Sequence, residues 1–218
     1  MISTRDLTFS YSGSGLLLSF PDVSCGTGDQ LLILGDSGSG KTTLLHLICG
    51  LLKARSGSIE IGGVDVSGLA DREMDKFRGA NIGIVFQQAH FVQSLSVSEN
   101  LMLPSLMTKD NISGEELYSR ISELLERLGL SHKADSSPKE LSVGEQQRAS
   151  IARALIHKPQ VVFADEPTSA LDDRSTEAVI SLLEEETKLA GACLVIVTHD
   201  QRLKSRYEKR VELKKLAG

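Results

Sequence analysis

The chain has 218 residues, 24 Lys and Arg against 29 Asp and Glu for a formal charge of −5, and 40% hydrophobic residues. That length predicts one domain with a proper core, about 70 per cent of the unfolded surface leaving water on folding. The acidic balance counts against a chain built to neutralise duplex phosphates, and three widely separated cysteines, Cys25, Cys49 and Cys193, read as reduced structural thiols rather than a disulfide framework or a sulfur metal site.

The first eleven residues carry Arg5 and Asp6 and no long apolar run, so neither a signal peptide nor a membrane span is expected there. Ile2 to Phe9, Leu16 to Phe20 and Ser58 to Ile61 alternate with Gly-rich turns, Ser12 to Gly15 and Gly62-Gly63, which predicts a small antiparallel sheet. Gln30 to Leu34 is a continuous apolar run of the kind found in strands buried on both faces, and it leads into Gly35-Asp36-Ser37-Gly38-Ser39-Gly40-Lys41-Thr42. A helical run, Leu44 to Leu52, follows. Strand, Gly-rich loop with Lys-Thr, then helix is the context of a P-loop. Its glycines let successive backbone N–H groups face one anion, Lys41 supplies a point charge for the β- and γ-phosphates, and Thr42 offers its hydroxyl to Mg²⁺. Gly35, Ser37, Gly38, Gly40, Lys41, Thr42 and Thr43 are therefore candidate ATP-binding residues.

Ile82 to Phe86 predicts another buried strand, after which residues 88–158 show only helical patterns and polar loops, as expected of a helical lobe inserted into an α/β core. Leu117, Ile121, Leu124, Leu125 and Leu128 recur at helical spacing, with Ser113 and Glu116 as a capping box, so a helix starts near Gly114 and stops at Gly129. Ser142 and Glu145 form a second capping box at the start of the next helix. Val161 to Ala164 predicts a buried strand ending in Asp165-Glu166; beside a P-loop these read as the Mg²⁺ carboxylate and the general base that polarises the attacking water. A helical pattern from Asp172 to Leu189, the apolar strand Cys193 to Thr198 and a short strand Arg210 to Leu213 complete the chain. His46, His90, His132 and His157 show no metal-ligand spacing, and the basic C-terminal run from Arg202 to Lys215 reads as a solvated face.

Leu141-Ser142-Val143-Gly144-Glu145-Gln146-Gln147-Arg148 resembles the signature loop, LSGGQ or LSGGE, of the ATP-binding-cassette (ABC) ATPases, with Val143 in place of a glycine. Other elements of that family stand in order along the whole chain. The resemblance makes Gln87 the Q-loop glutamine on Mg²⁺ and water, Ser169-Ala170-Leu171-Asp172 the D-loop at a dimer interface, His199 the switch histidine on the γ-phosphate, and Tyr11 the aromatic on adenine. It implies an α/β P-loop NTPase fold: a RecA-like parallel core with an N-terminal antiparallel β subdomain and an inserted helical subdomain, in a single nucleotide-binding domain spanning 1–218. ATP and Mg²⁺ are the implied ligands. Two copies would close head to tail around two ATP, with Ser142, Gly144 and Glu145 of one facing the P-loop of the other.

Phe77 to Gln88 and Glu99-Asn100-Leu101-Met102-Leu103-Pro104 are similar to the branch of lipoprotein-release, macrolide-export and cell-division ATPases, the LolD, MacB and FtsE types. The resemblance implies an integral-membrane permease of the FtsX/MacB type as partner, no direct contact with nucleic acid, and a cytoplasmic location against the inner face of the membrane. Residues Ala89 to Leu95 would meet the permease. The competing readings are a soluble ABC ATPase that clamps nucleic acid or ribosomes, against which the acidity and the single cassette count, and a nucleotide-binding module without turnover.

Overall fold

The computed structural model describes residues 2–13, 16–107, 112–169 and 171–214. The chain opens with strands β1 (Ile2–Phe9), β2 (Leu18–Ser19), β3 (Ser24–Cys25) and β4 (Gln30–Gly35), then helix α1 (Lys41–Ile48), β5 (Ser56–Ile61), β6 (Val64–Asp65), α2 (Asp71–Asn81) and β7 (Ile82–Val85). Helices α3 (Val97–Met107), α4 (Gly114–Arg127) and α5 (Val143–Leu155) follow in succession. The chain then alternates through β8 (Val161–Asp165), α6 (Asp173–Leu189), β9 (Cys193–Thr198) and β10 (Arg210–Leu213).

Two sheets result. The antiparallel one runs β2-β1-β5-β6 with β3 also on β1, and the parallel one runs β10-β4-β9-β8-β7. Gly62 and Gly63 close the β5–β6 hairpin as its two-residue turn, with φ of +60° and +85°, values at which a side chain is strained.

The parallel strands are buried on both sides, which is why they read as unbroken apolar runs. Side chains alternate across the sheet with period two. Leu32, Leu34, Val162, Ala164, Leu194 and Ile196 face a core shared with α3 to α6, whereas Leu31, Ile33, Phe163, Val195 and Val197 face one shared with α1 and the antiparallel sheet.

Most predicted elements are present with shifted ends. The helix expected over Leu44 to Leu52 begins earlier, at Lys41, and stops at Ile48, with Gly50 at φ +66° just beyond. In α6 the buried stripe is Thr176, Val179, Ile180, Leu183, Glu186 and Thr187, and Ala178 is exposed. Helix α2 has no counterpart in the sequence reading, because Met74 is its one buried residue and no apolar stripe announces it. The cysteine reading needs correction. Cys25 and Cys193 form a disulfide across 6.6 Å between Cα atoms, because β3 is brought over the first residue of β9; their separation along the chain of 168 residues hides that proximity. Cys49 is a buried free thiol whose burial raises its pKa far above the ordinary value.

Candidate functional site

Parallel β4, β7, β8 and β9 all end at one edge of the sheet, the place where open α/β sheets bind ligands. Everything chemical in the predicted set except the signature residues and Tyr11 hangs from those four ends or from the loop and helix that follow them.

Between β4 and α1 the chain turns through residues 36–40. Gly38 and Gly40 take φ of +80° and +88°, a conformation that favours glycine. Gly35 is required for space instead: a Cβ there would collide with the Ser39 hydroxyl and lie 2.9 Å from the Leu213 carbonyl oxygen. The buried Lys41 ammonium donates to the carbonyls of Gly35 at 2.7 Å and Asp36 at 3.0 Å, and lies 3.7 Å from Glu166 Oε1. Thr43 shares a 2.8 Å hydrogen bond with the Tyr11 hydroxyl, and the Tyr11 ring, 48% exposed, stands edge-on to Phe9. That bond sets an exposed aromatic surface directly beside the P-loop helix.

Strand β8 is buried throughout and delivers Asp165 at its end. The Thr42 hydroxyl donates to Asp165 Oδ2 at 3.4 Å, while Asp165 Oδ1 is buried without a hydrogen-bond partner. Burial, followed by the neighbouring Glu166 charge, holds the Asp165 carboxyl above the usual carboxylate range. A buried carboxylate oxygen with nothing to accept from is the feature expected of a cation ligand. Among the described residues no three His, Cys, Asp or Glu side chains gather to hold a metal by themselves. One carboxylate, one hydroxyl and the Gln87 amide are hard oxygen donors, and such a set fits Mg²⁺ held jointly with substrate phosphates.

Glu166 sits at φ +48°, a left-handed value uncommon for a residue with a side chain. Its backbone N–H donates to Val197 O at 2.8 Å, so β9 fixes the turn. Its carboxylate accepts from the Thr198 hydroxyl at 2.8 Å and from the His199 backbone at 3.3 Å, and both its oxygens lie 2.9 Å from His199 Nδ1. Because an ionised carboxylate only accepts, Nδ1 of a neutral His199 carries the ring proton and Nε2 is left as an acceptor.

Gln87 Nε2 donates to the Ser169 hydroxyl at 3.2 Å, joining the end of β7 to the segment after β8. Asp172 caps α6 by accepting from Ser175 N at 2.8 Å, and this bond holds its carboxyl below the usual range. Leu171 lies between them; Ala170 lies outside the described residues.

Ser37, Gly38, Gly40, Lys41, Thr42, Thr43, Gln87, Glu166 and His199 together line one cleft of about 370 Å³. A larger groove of about 550 Å³ between α4 and α6 holds the Arg127 pairs to Glu123 and Glu186 and lies apart from these residues.

The signature residues do not line the cleft. Ser142 is the N-cap of α5: its hydroxyl accepts from Glu145 N at 3.3 Å, and Glu145 Oε2 accepts from Ser142 N and Oγ, each at 2.8 Å. Those bonds hold the Glu145 carboxyl below its ordinary value. Val143 is 63% exposed, and a Cβ on Gly144 would meet only Arg148 Nη1, at 3.8 Å.

Sequence reasoning missed Thr198 and Thr168, whose hydroxyls bond Glu166 and Asp200, because a lone threonine after a strand carries no signal. The basic C-terminal run is largely matched: Lys204 pairs with Glu212, Lys209 with Asp29 and Arg206 with Glu177 and Glu184. Among the described residues no helix is long and apolar enough to cross a membrane.

Comparison with known proteins agrees with this geometry. Residues 19–169 match the ABC transporter family. The lipoprotein-releasing system ATP-binding protein LolD of Xanthomonas campestris pv. campestris (strain 8004) is 40% identical over 195 residues, 88% of this chain and 80% of that protein. The ATP-binding cassette MJ0796, a dimer in a post-hydrolysis state bound to ADP and Pi, superposes with a TM-score of 0.86 at 34% identity, covering 99% of this chain and 95% of that one. CbiO1 of Clostridium perfringens, part of the cbiONQ transporter complex, gives 0.88 at 28% identity, covering 98% and 84%. P-loop, acidic strand end and family match converge: the chain belongs to the ABC transporter family and is an ATP-hydrolysing, nucleotide-binding subunit of it.

Proposed function

We propose that the chain dimerises head to tail around two ATP and drives an FtsX/MacB-type permease in lipoprotein release. The observation that carries the dimer is the division of the site. Lys41, Thr42, Asp165, Gln87, Glu166 and His199 converge at the strand ends of one protomer, whereas Ser142, exposed, and Gly144, half-buried, lie outside that cleft, where the cleft of a second copy could meet them. A dimeric neighbour bound to ADP and Pi supports it, and LolD relatives support the lipoprotein-release branch.

In this reading phosphate oxygens replace the Gly35 and Asp36 carbonyls as partners of Lys41, which loosens its hold on Glu166. Mg²⁺, when bound by Thr42, Asp165 and Gln87, supplies charge neutralisation at the phosphates. Glu166 takes the proton of the attacking water. His199 keeps its Nδ1 proton in the hydrogen bond to Glu166, and a proton taken from solvent at Nε2 would let the ring present Nε2–H to the γ-phosphate. Ser142, Gly144 and Glu145 of the other copy would present the α5 N-terminus to the same phosphate, with Ser169 to Asp172 along the seam and Tyr11 against adenine.

Residues 88–158 form, in this proposal, the lobe that receives the permease. Segment Ala89 to Leu95 is largely exposed and framed from below: Asn100 donates to the carbonyls of Val92, Leu95 and Ser96, and Arg153 lies 4.7 Å over the Phe91 ring. Affinity purification of the tagged chain from detergent-solubilised membranes tests the partner. We expect a permease with a large extracytoplasmic domain to co-purify and to crosslink to cysteines placed at 89–95. Recovery of nucleic-acid-associated proteins alone would turn the assignment to a soluble clamp.

A further inference from the structure

The segments on either side of the sheet edge are joined by contacts that nucleotide binding does not use. Asp200 follows His199 directly, and its backbone N–H donates to Thr198 Oγ1 at 3.0 Å, the same hydroxyl that bonds Glu166. The Asp200 carboxylate accepts from Arg202 Nε at 2.8 and 3.0 Å and from Nη2 at 2.7 Å, a fork-to-carboxylate pair. It also accepts from the Thr168 hydroxyl at 3.3 Å, immediately before the D-loop. The remaining Arg202 donors reach past the other end of the loop, Nη1 to Asp173 and Nη2 to Thr176 Oγ1 at 3.4 Å, on the first turn of α6.

We propose that Arg202 is a positioning residue: through Asp200 it ties the switch segment carrying His199 to both ends of the D-loop, 169–172. The inference rests on the head-to-tail dimer proposed above, in which that loop lies on the seam. The physical ground is the economy of ties. Only four residues separate Thr168 from Asp173, and one carboxylate–guanidinium unit holds both of these flanking residues. Any shift of His199 is then passed to the loop as a rigid displacement. Arg202 is 45% and Asp173 90% exposed, so that pair contributes little to stability, whereas Asp200, 12% exposed, loses its main cation when Arg202 is removed. The role of Arg202 is therefore read from coupling, whatever the change in melting.

The test compares Glu166→Gln with Glu166→Gln/Arg202→Ala by sedimentation velocity of the full chain with ATP. Removing Arg202 should raise the protein concentration for half-dimerisation about 3- to 30-fold, the range of coupling changes along such networks. ATP binding to the monomer should stay as it was. With Glu166 present, Arg202→Ala should lower kcat by a similar factor while KM holds. Arg202→Lys should not rescue, because one ammonium cannot fork to Asp200 and Asp173 together. Asp173→Ala cuts the same tie from the α6 side and should reproduce the loss even if Arg202→Ala folds poorly. Equal dimerisation with and without Arg202, or full rescue by Lys, would overturn the inference. A Glu166→Gln protein that stays monomeric with ATP would instead overturn the dimer reading, and this inference with it.

Discussion

In the proposed dimer the P-loop cleft and the signature loop meet the same phosphate, and the two are built in opposite ways. In the cleft, ionisable groups are withdrawn from water before any ligand arrives: Lys41 and Asp165 are buried, Lys41 leans on backbone carbonyls, and Asp165 Oδ1 has no partner. At the signature loop the Ser142 and Glu145 side chains already satisfy each other. A site held in polar tension reveals itself within one chain. A site presented by exposure has no such mark, and only a second surface can complete it. The disparity is what the proposed dimer predicts for one half of a composite site.

The comparison breaks most readily at Glu166. Its carboxylate is held by Thr198 and His199 in a turn with left-handed backbone. Glu166→Gln should lower the rate of phosphate release on the order of 10²- to 10⁴-fold, as loss of a general base does. It should also leave an ATP-bound dimer on size exclusion; release at the parental rate would remove the base assignment.

Gly144 sharpens the other half. Nothing in this chain needs a glycine there, since the nearest atom to an added Cβ is the flexible end of Arg148, and an acidic residue in the first turn of α5 favours the helix. Gly144→Asp should therefore keep or raise the melting temperature and keep monomer ATP affinity, yet cut turnover on the order of 10²-fold by misplacing and repelling the partner's phosphate. A protein that loses stability or monomer affinity would place the demand for glycine inside the protomer instead.

Much of this was legible in the sequence, for identifiable reasons. Strands β4, β8 and β9 are buried on both faces, so their apolar runs are unbroken, and Gly38 and Gly40 of the P-loop take φ values that other residues avoid. The N-cap bonds of Ser113 and Ser142, the second completed into a capping box by Glu145, marked two helix starts because they are local. Helix α2 was illegible because it is polar almost throughout, and β3 because two residues make no pattern. The Cys25–Cys193 bond and the Arg202–Asp200–Thr168 cluster were hidden for a different reason. Both depend on which strand ends the topology places side by side, and residue spacing along a chain does not encode that.

Asp165 tests the tension in the cleft directly, with the smallest effect and an unusual sign. Because burial raises its folded-state pKa above the ordinary value of 3.8, the folded chain holds this proton more tightly than the unfolded one. Stability from this group is thus fully present below that ordinary value and falls as pH rises through the window up to the raised value. At neutral pH the charged carboxylate burdens the ligand-free fold. Asp165→Asn carries no such charge and should melt a few degrees higher than the parent at pH 7 without nucleotide, while losing Mg²⁺-dependent ATPase activity. Lowering the pH through the window should close the gap, since the parental carboxyl then becomes neutral too. Adding Mg²⁺ and ATP should reverse the order, because the cation gives Asp165 the partner that the protein withholds. Differential scanning calorimetry across pH reads all three outcomes, and a gap that ignores pH would mean that Asp165 is held by packing rather than poised for a cation. The direction of that shift separates a residue kept for the fold from one the fold tolerates for its ligand.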